Sequence, residues 1–196
     1  MSHISASGPA DDPAAPGDHP PAPGESARQA NLLGTASLLV ADRLRAATES
    51  GVPPGADAPA ALVALHTFLG GATIDALSRV LALSHSGTVR LIDRLAQAGL
   101  VERRPNPDGR AVALHLTAGG TRAARRAMAA REAVAGAALE PLDPAERAEL
   151  ARLLEKLLAG LVEDHAAARR CCRLCDVDAC GHPDRCPVTQ ALLDRH

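Results

Sequence analysis

Between Thr73 and Thr117 the sequence sets two helix starts, a glycine stop and a proline-rich turn so close together that few architectures accommodate them. Thr73 can N-cap a short helix with Ile74, Leu77 and Val80 inward, and Ser84 can N-cap the next. In that second helix Val89, Ile92, Leu95 and Ala96 fall on one face, while Ser86, Arg90, Arg94 and Gln97 fall opposite. Gly99 supplies a C′ stop. Val101 to Arg103 and Val112 to Leu116 read as two short strands around Pro105-Asn106-Pro107-Asp108-Gly109, so a hairpin is expected.

The flanks read as helix. Residues 26–48 carry a leucine-rich pattern that stops at Ser50-Gly51-Val52-Pro53-Pro54-Gly55, and a further helix is expected from Pro59 to Leu69. An alanine-paved helix follows from Ala118 to Ala138. Asp143-Pro144-Ala145-Glu146 then opens a last long helix with an N-cap, Pro at N1 and Glu at N3. In it Leu150, Leu153, Leu154, Leu157, Leu158, Leu161 and Val162 recur at three- and four-residue spacing, a seam apolar enough to need a partner. With 46% apolar and 22% charged residues the chain has globular composition. Aromatics are 1%, Phe68 alone, which argues against a single-strand stacking platform and against a β-sandwich. The expected class is mainly α: a winged helix-turn-helix with a small β-hairpin wing and a helical dimerisation lobe.

Residues 1–25 are rich in Pro, Gly and Asp and read as a disordered tail. They hold four carboxylates and no Lys or Arg, so the formal net charge of −2 hides a net positive remainder with Arg clustered in 79–131. Local charge is what a nucleic-acid surface needs. Neither an export signal nor a membrane-spanning stretch is legible, so a cytoplasmic protein with no membrane partner is expected.

Helix, tight turn, helix and hairpin, in that order, make a winged helix-turn-helix, whose second helix fits the major groove of double-stranded DNA. Ser84, His85, Ser86 and Thr88 can hydrogen-bond bases or phosphates, and Gly87 permits close approach. Arg90 can pair with a guanine edge or a phosphate, while Arg94 is placed for the backbone. Arg103, Arg104 and Arg110 surround a turn that can enter the minor groove. His85 is equally suited to packing or capping, and His66 and His115 read as structural. Two other readings stand beside this one. Arg90 and Arg94 suit a solvated face paired with Asp93 or Gln97, and winged helices also serve as protein-interaction modules.

The segment LSHSGTVRLIDRLAQAGLVERRPNPDGRAVALHLTAGG resembles the recognition helix and wing of the MarR family of transcriptional regulators. The matching pieces are the Arg90-to-Leu95 core, the Gly99-Leu100-Val101-Glu102-Arg103 exit, the Asp108-x-Arg110 tip and the Leu116-Thr117 return. The resemblance spans 26–166 and implies a regulator, homodimeric through its first and last helices, on a palindromic operator. No Ser/His/Asp set, phosphate loop or HExxH pattern is legible, so no enzyme is expected, and a thiol or metal redox protein at Cys171 to Cys186 is the weaker alternative. The resemblance also implies that Asp108 orients Arg110 for the minor groove, and that a small-molecule effector binds between the two lobes. Gly109 departs from the family, which often has a basic residue there, and so does everything after Arg170.

All five cysteines lie in residues 167–196, a separate extension. Cys172-x2-Cys175-x4-Cys180-x5-Cys186 offers four soft ligands, suited to structural zinc or, as the alternative, an iron–sulfur cluster, with Cys186-Pro187 matching the latter. Cys171 is the spare thiol, interchangeable with Cys172 on sequence grounds, and His182 can replace a cysteine. Thiol oxidation beside Arg169, Arg170 and Arg173 is a third possibility, so a metal, a redox signal or a ligand is the expected modulator.

Overall fold

The computed structural model describes residues 24–53, 55, 57–105 and 112–195. Its elements are α1 (Glu25–Thr48), α2 (Asp57–Thr67), α3 (Ile74–Leu81), α4 (His85–Gln97), β1 (Val101–Pro105), β2 (Val112–Leu116), α5 (Ala118–Leu139), α6 (Pro144–Leu161), α7 (His165–Cys171) and α8 (Pro187–Leu193). A single 3₁₀ turn, Cys172–Leu174, follows α7. The chain divides into two compact units, Met1–Ser37 and Leu38–His196. In the first, Leu32 and Leu33 on α1 are exposed. Most of the expected tail, residues 1–23, lies outside the described residues.

In the second unit α2 is the hub. Its sequence is apolar all round, and every residue from Ala58 to Leu65 is buried, as a helix without a polar face must be. Ala60, Ala61 and Ala64 keep it slim, and α3, α4, α5, β2 and the 3₁₀ turn all pack on it.

The caps read from sequence are present. Thr73 Oγ1 accepts from Ala76 N at 3.3 Å, and Ser84 Oγ accepts from Gly87 N at 3.1 Å. Between α3 and α4 the chain turns through Ala82, a non-glycine residue at φ +55°. Gly99, at φ +68°, ends α4: its N–H reaches Ala96 O at 2.9 Å and Leu100 N reaches Leu95 O at 2.9 Å, a Schellman stop.

β1 and β2 pair antiparallel, Val101 opposite Leu116 and Pro105 opposite Val112. The backbone before α3 adds a further rung, with Gly71 N to Leu114 O at 3.1 Å and Leu114 N to Ala72 O at 2.9 Å. The hairpin is thereby bolted to the start of the helix-turn-helix. At its far end Thr117 Oγ1 donates to Gly99 O at 2.7 Å and accepts from Gly120 N at 3.0 Å. The fit there is tight enough that a Cβ on Gly120 would stand 1.9 Å from Leu100 O.

α6 begins with the full capping box: Asp143 Oδ1 accepts from Glu146 N at 2.9 Å, and Glu146 Oε2 accepts from Asp143 N at 2.9 Å. No residue of α6 is buried. Leu153, Leu154, Leu157, Leu158 and Leu161 stay exposed, and α8 packs against this helix. The cysteine-rich segment belongs to the second unit. Its 3₁₀ turn lies on α2 and α7 on α3, and Leu174 joins the main core.

Candidate nucleic-acid interface

The outward side of α4 follows from which of its residues α2 and α3 claim. Thr88, Leu91, Ile92 and Leu95 form the buried stripe. Val89 and Ala96, expected on the same inward face as Ile92 and Leu95, are only half-buried. Ser86, Arg90, Arg94 and Gln97 are all exposed. Neither Arg90 nor Arg94 has an ion-pair partner among the described residues, because Asp93 is taken: its Oδ1 accepts from Arg103 on β1 at 2.7 Å. The two arginines are thus exposed and not ion-paired with Asp93.

Thr88 leaves the set of DNA-contact candidates. Its side chain is fully buried and its hydroxyl donates to Ser84 O at 3.0 Å, a back-bond inside the first turn. Gly87, half-buried, spends its N–H on the cap, where the Ser84 hydroxyl also lies 3.3 Å from that of Ser86. His85 is exposed, with Nδ1 2.7 Å from Asp75 Oδ1 on α3, so it bridges the two helices rather than packing inward.

In the hairpin, Arg103 ties the wing to α4 through Asp93, and Arg104 pairs with Glu102 on its own strand. Asp108 and Arg110, with Gly109, lie outside the described residues. His115 and His66 are half-buried, and the His115 ring lies against Gly71. The Asp75–His85 and Asp93–Arg103 pairs were not foreseen. Each joins residues ten apart on different elements, a spacing with no helical or strand periodicity to betray it.

A winged helix with a cationic second helix has solved counterparts. Residues 50–111 match the MarR family model.

A MarR family protein from Bacillus stearothermophilus is 26% identical, with a TM-score of 0.59 over 67% of this chain and 91% of that one. Wild-type apo MarR from E. coli is 27% identical, with a TM-score of 0.56 over 66% and 95%. RV1404 from Mycobacterium tuberculosis is 26% identical, with a TM-score of 0.61 over 74% and 100%. No curated protein matches the chain. The MarR-type fold is thus spanned almost end to end.

Outside the matched MarR stretch lies the cysteine segment. Cys172, Cys175, Cys180 and Cys186 line one cavity of about 650 Å³, together with His182, Val177, Leu192 and the end of α2. Cys180 and Cys186 place their sulfurs 3.7 Å apart. Cys171 is exposed and off the cavity, its thiol donating to Ala168 O at 3.2 Å. His182 is exposed, its Nδ1 3.0 Å from Thr189 Oγ1. The Cys172 thiol donates to Cys175 and brings it down to about 6, with Arg131 on α5 adding to the effect. The same thiol lowers Cys171 to about 7, and its own proton is held correspondingly tightly. Burial pushes Cys180 up to about 12. It acts the same way on Cys186, but hydrogen bonds from Thr189 and Val188 outweigh it there and the net direction is down. Among the described residues, no three His, Cys, Asp or Glu side chains are yet drawn together closely enough to hold a metal ion.

Proposed function

We propose that the chain works as a homodimer that lays α4 of each copy in the major groove of a palindromic operator, with half-sites about one helical turn apart. The observation that carries this is the division of α4. Leu91, Ile92 and Leu95 anchor it to the hub, while Ser86, Arg90 and Arg94 face out with neither arginine ion-paired among the described residues. On this reading Ser84, Ser86 and His85 contact bases or phosphates near the helix start, Arg90 reads a base edge, and Arg94 grips the backbone. Arg103 and Arg104 lie on β1 of the wing, and the family resemblance assigns minor-groove contact to Asp108 and Arg110, which are outside the described residues. The exposed leucines of α1 and α6 support pairing of two copies, since a lone chain leaves them in water. No described helix is long and apolar enough to cross a membrane, in keeping with a cytoplasmic role. Modulation of operator affinity by a metal, a redox signal or a small ligand belongs to the same reading, and the cysteine-lined cavity supports it.

Binding to duplex DNA from upstream of the chain's own coding sequence tests the reading, measured by gel shift at one salt concentration. Saturable binding of two chains per duplex is expected, and it should be lost in the Arg90→Ala, Arg94→Ala double variant. Equal binding by wild type and double variant would overturn it, and so would no binding at low salt to any genomic fragment.

A further inference from the structure

The cysteines are not an appendage to the dimer helix. They sit where the C-terminal segment folds back on the helix-turn-helix, with the 3₁₀ turn Cys172–Leu174 against α2, α7 against α3, and α8 against α6. What holds that segment is slight. Its own core is Val162, Ala168, Cys186, Val188 and Leu192, with Cys172 and Cys180 at the edge. So few apolar side chains of its own offset only part of the ordering entropy of a segment this long, and small clusters of this kind are usually completed by a disulfide or a metal. All five thiols are free.

Four of them face one hollow, and the fifth does not. Tetrahedral zinc with bonds of ~2.3 Å sets its sulfurs about 3.8 Å apart, and Cys180 and Cys186 already stand at 3.7 Å. In a four-iron cluster each cysteine holds a different iron, which spreads the sulfurs further. A two-iron cluster sets two cysteines on each iron at the same spacing and is told from zinc by its sulfide. Cys172, at the start of the 3₁₀ turn, and Cys175, just after it, border the same hollow.

We propose that Cys172, Cys175, Cys180 and Cys186 bind one zinc ion, which fastens the C-terminal segment to α2 and α3 and so governs how firmly the helix-turn-helix is held. The ion's binding free energy then becomes folding free energy of the segment. Cys171, though its sulfur stands 3.7 Å from that of Cys172, does not line the hollow, and His182 lines it with its ring engaged by Thr189, so neither is assigned as a ligand.

The test uses the full-length chain. Purified protein should contain one zinc per chain, with no inorganic sulfide. Cys171→Ser should keep it and Cys175→Ser should lose it. Cobalt added to the stripped wild-type chain should give the intense visible spectrum of a tetrahedral thiolate site. A chain that takes up neither zinc nor cobalt overturns the site, and iron with stoichiometric sulfide overturns its assignment to zinc. Removing zinc should lower the thermal midpoint and weaken operator binding by about tenfold, an ordinary coupling between two sites. The last readout rests on the DNA-binding reading, whereas metal content, spectrum and melting do not. Undiminished affinity in the stripped protein would therefore remove the coupling alone.

Discussion

Arg90 and Arg94 leave α4 about one turn apart, yet their roles differ and can be separated. Arg90→Ala should cost about 1–3 kcal/mol of operator affinity and relax preference at one base pair. Arg94→Ala should weaken all sequences alike and reduce the slope of log affinity against log salt by about 1. Anisotropy titrations across a salt series measure both, and an unchanged thermal midpoint shows that neither variant disturbs the fold. Thr88 belongs to the opposite class. Its buried hydroxyl serves Ser84 O, which Thr88 N also serves at 2.9 Å, so Thr88→Val leaves that carbonyl satisfied. A loss of about 1 kcal/mol in denaturant unfolding is expected, with operator affinity unchanged. On sequence alone Thr88 looked like its polar neighbours Ser84 and Ser86. The helical wheel set the buried stripe one position too far round, because it knows the period of a helix but not which neighbour will claim it.

At the scale of the element, several boundaries were readable to the residue because each depends on local chemistry. The Asp143 capping box, the Ser84 and Thr73 caps and the Gly99 stop needed no tertiary partner. α2 was placed late, starting at Asp57 instead of Pro59, because a helix buried on every side has no amphipathic edge to announce it. The junction of hairpin and α5 was legible as a strand end, but not as a tight contact. Gly120→Ala drives a methyl into the Leu100 carbonyl, and a stability loss of about 1–3 kcal/mol is expected from the backbone shift it forces. Thermal unfolding of the variant measures it, and a midpoint equal to wild type would show that the junction yields freely.

For the whole molecule the exposed leucines matter most. Leu153, Leu154, Leu157, Leu158 and Leu161 are exposed on a helix none of whose residues is fully buried, while Leu38 and Leu39 on α1 are likewise exposed. Charging that seam with Leu154→Glu and Leu158→Glu should yield a folded monomer that binds the operator weakly. Sedimentation analysis reads the first outcome and gel shift the second. A variant that stays dimeric would move the interface elsewhere. The pairing of distant elements decides the rest, including the return of the cysteine segment to α2 and α3 in place of a free tail beyond α6.

The order of helices, the caps, the hairpin and the cationic helix could be read directly, since each arises from spacing or from one residue's own backbone and hydrogen-bonding preferences. Which stripe of α4 would be dry, that Asp93 would turn to Arg103 and leave Arg90 and Arg94 unpaired, and that four of five thiols would share a hollow depended on contacts between elements far apart in the chain. Such contacts form only once burial of apolar surface has brought those elements together, and no local pattern encodes them.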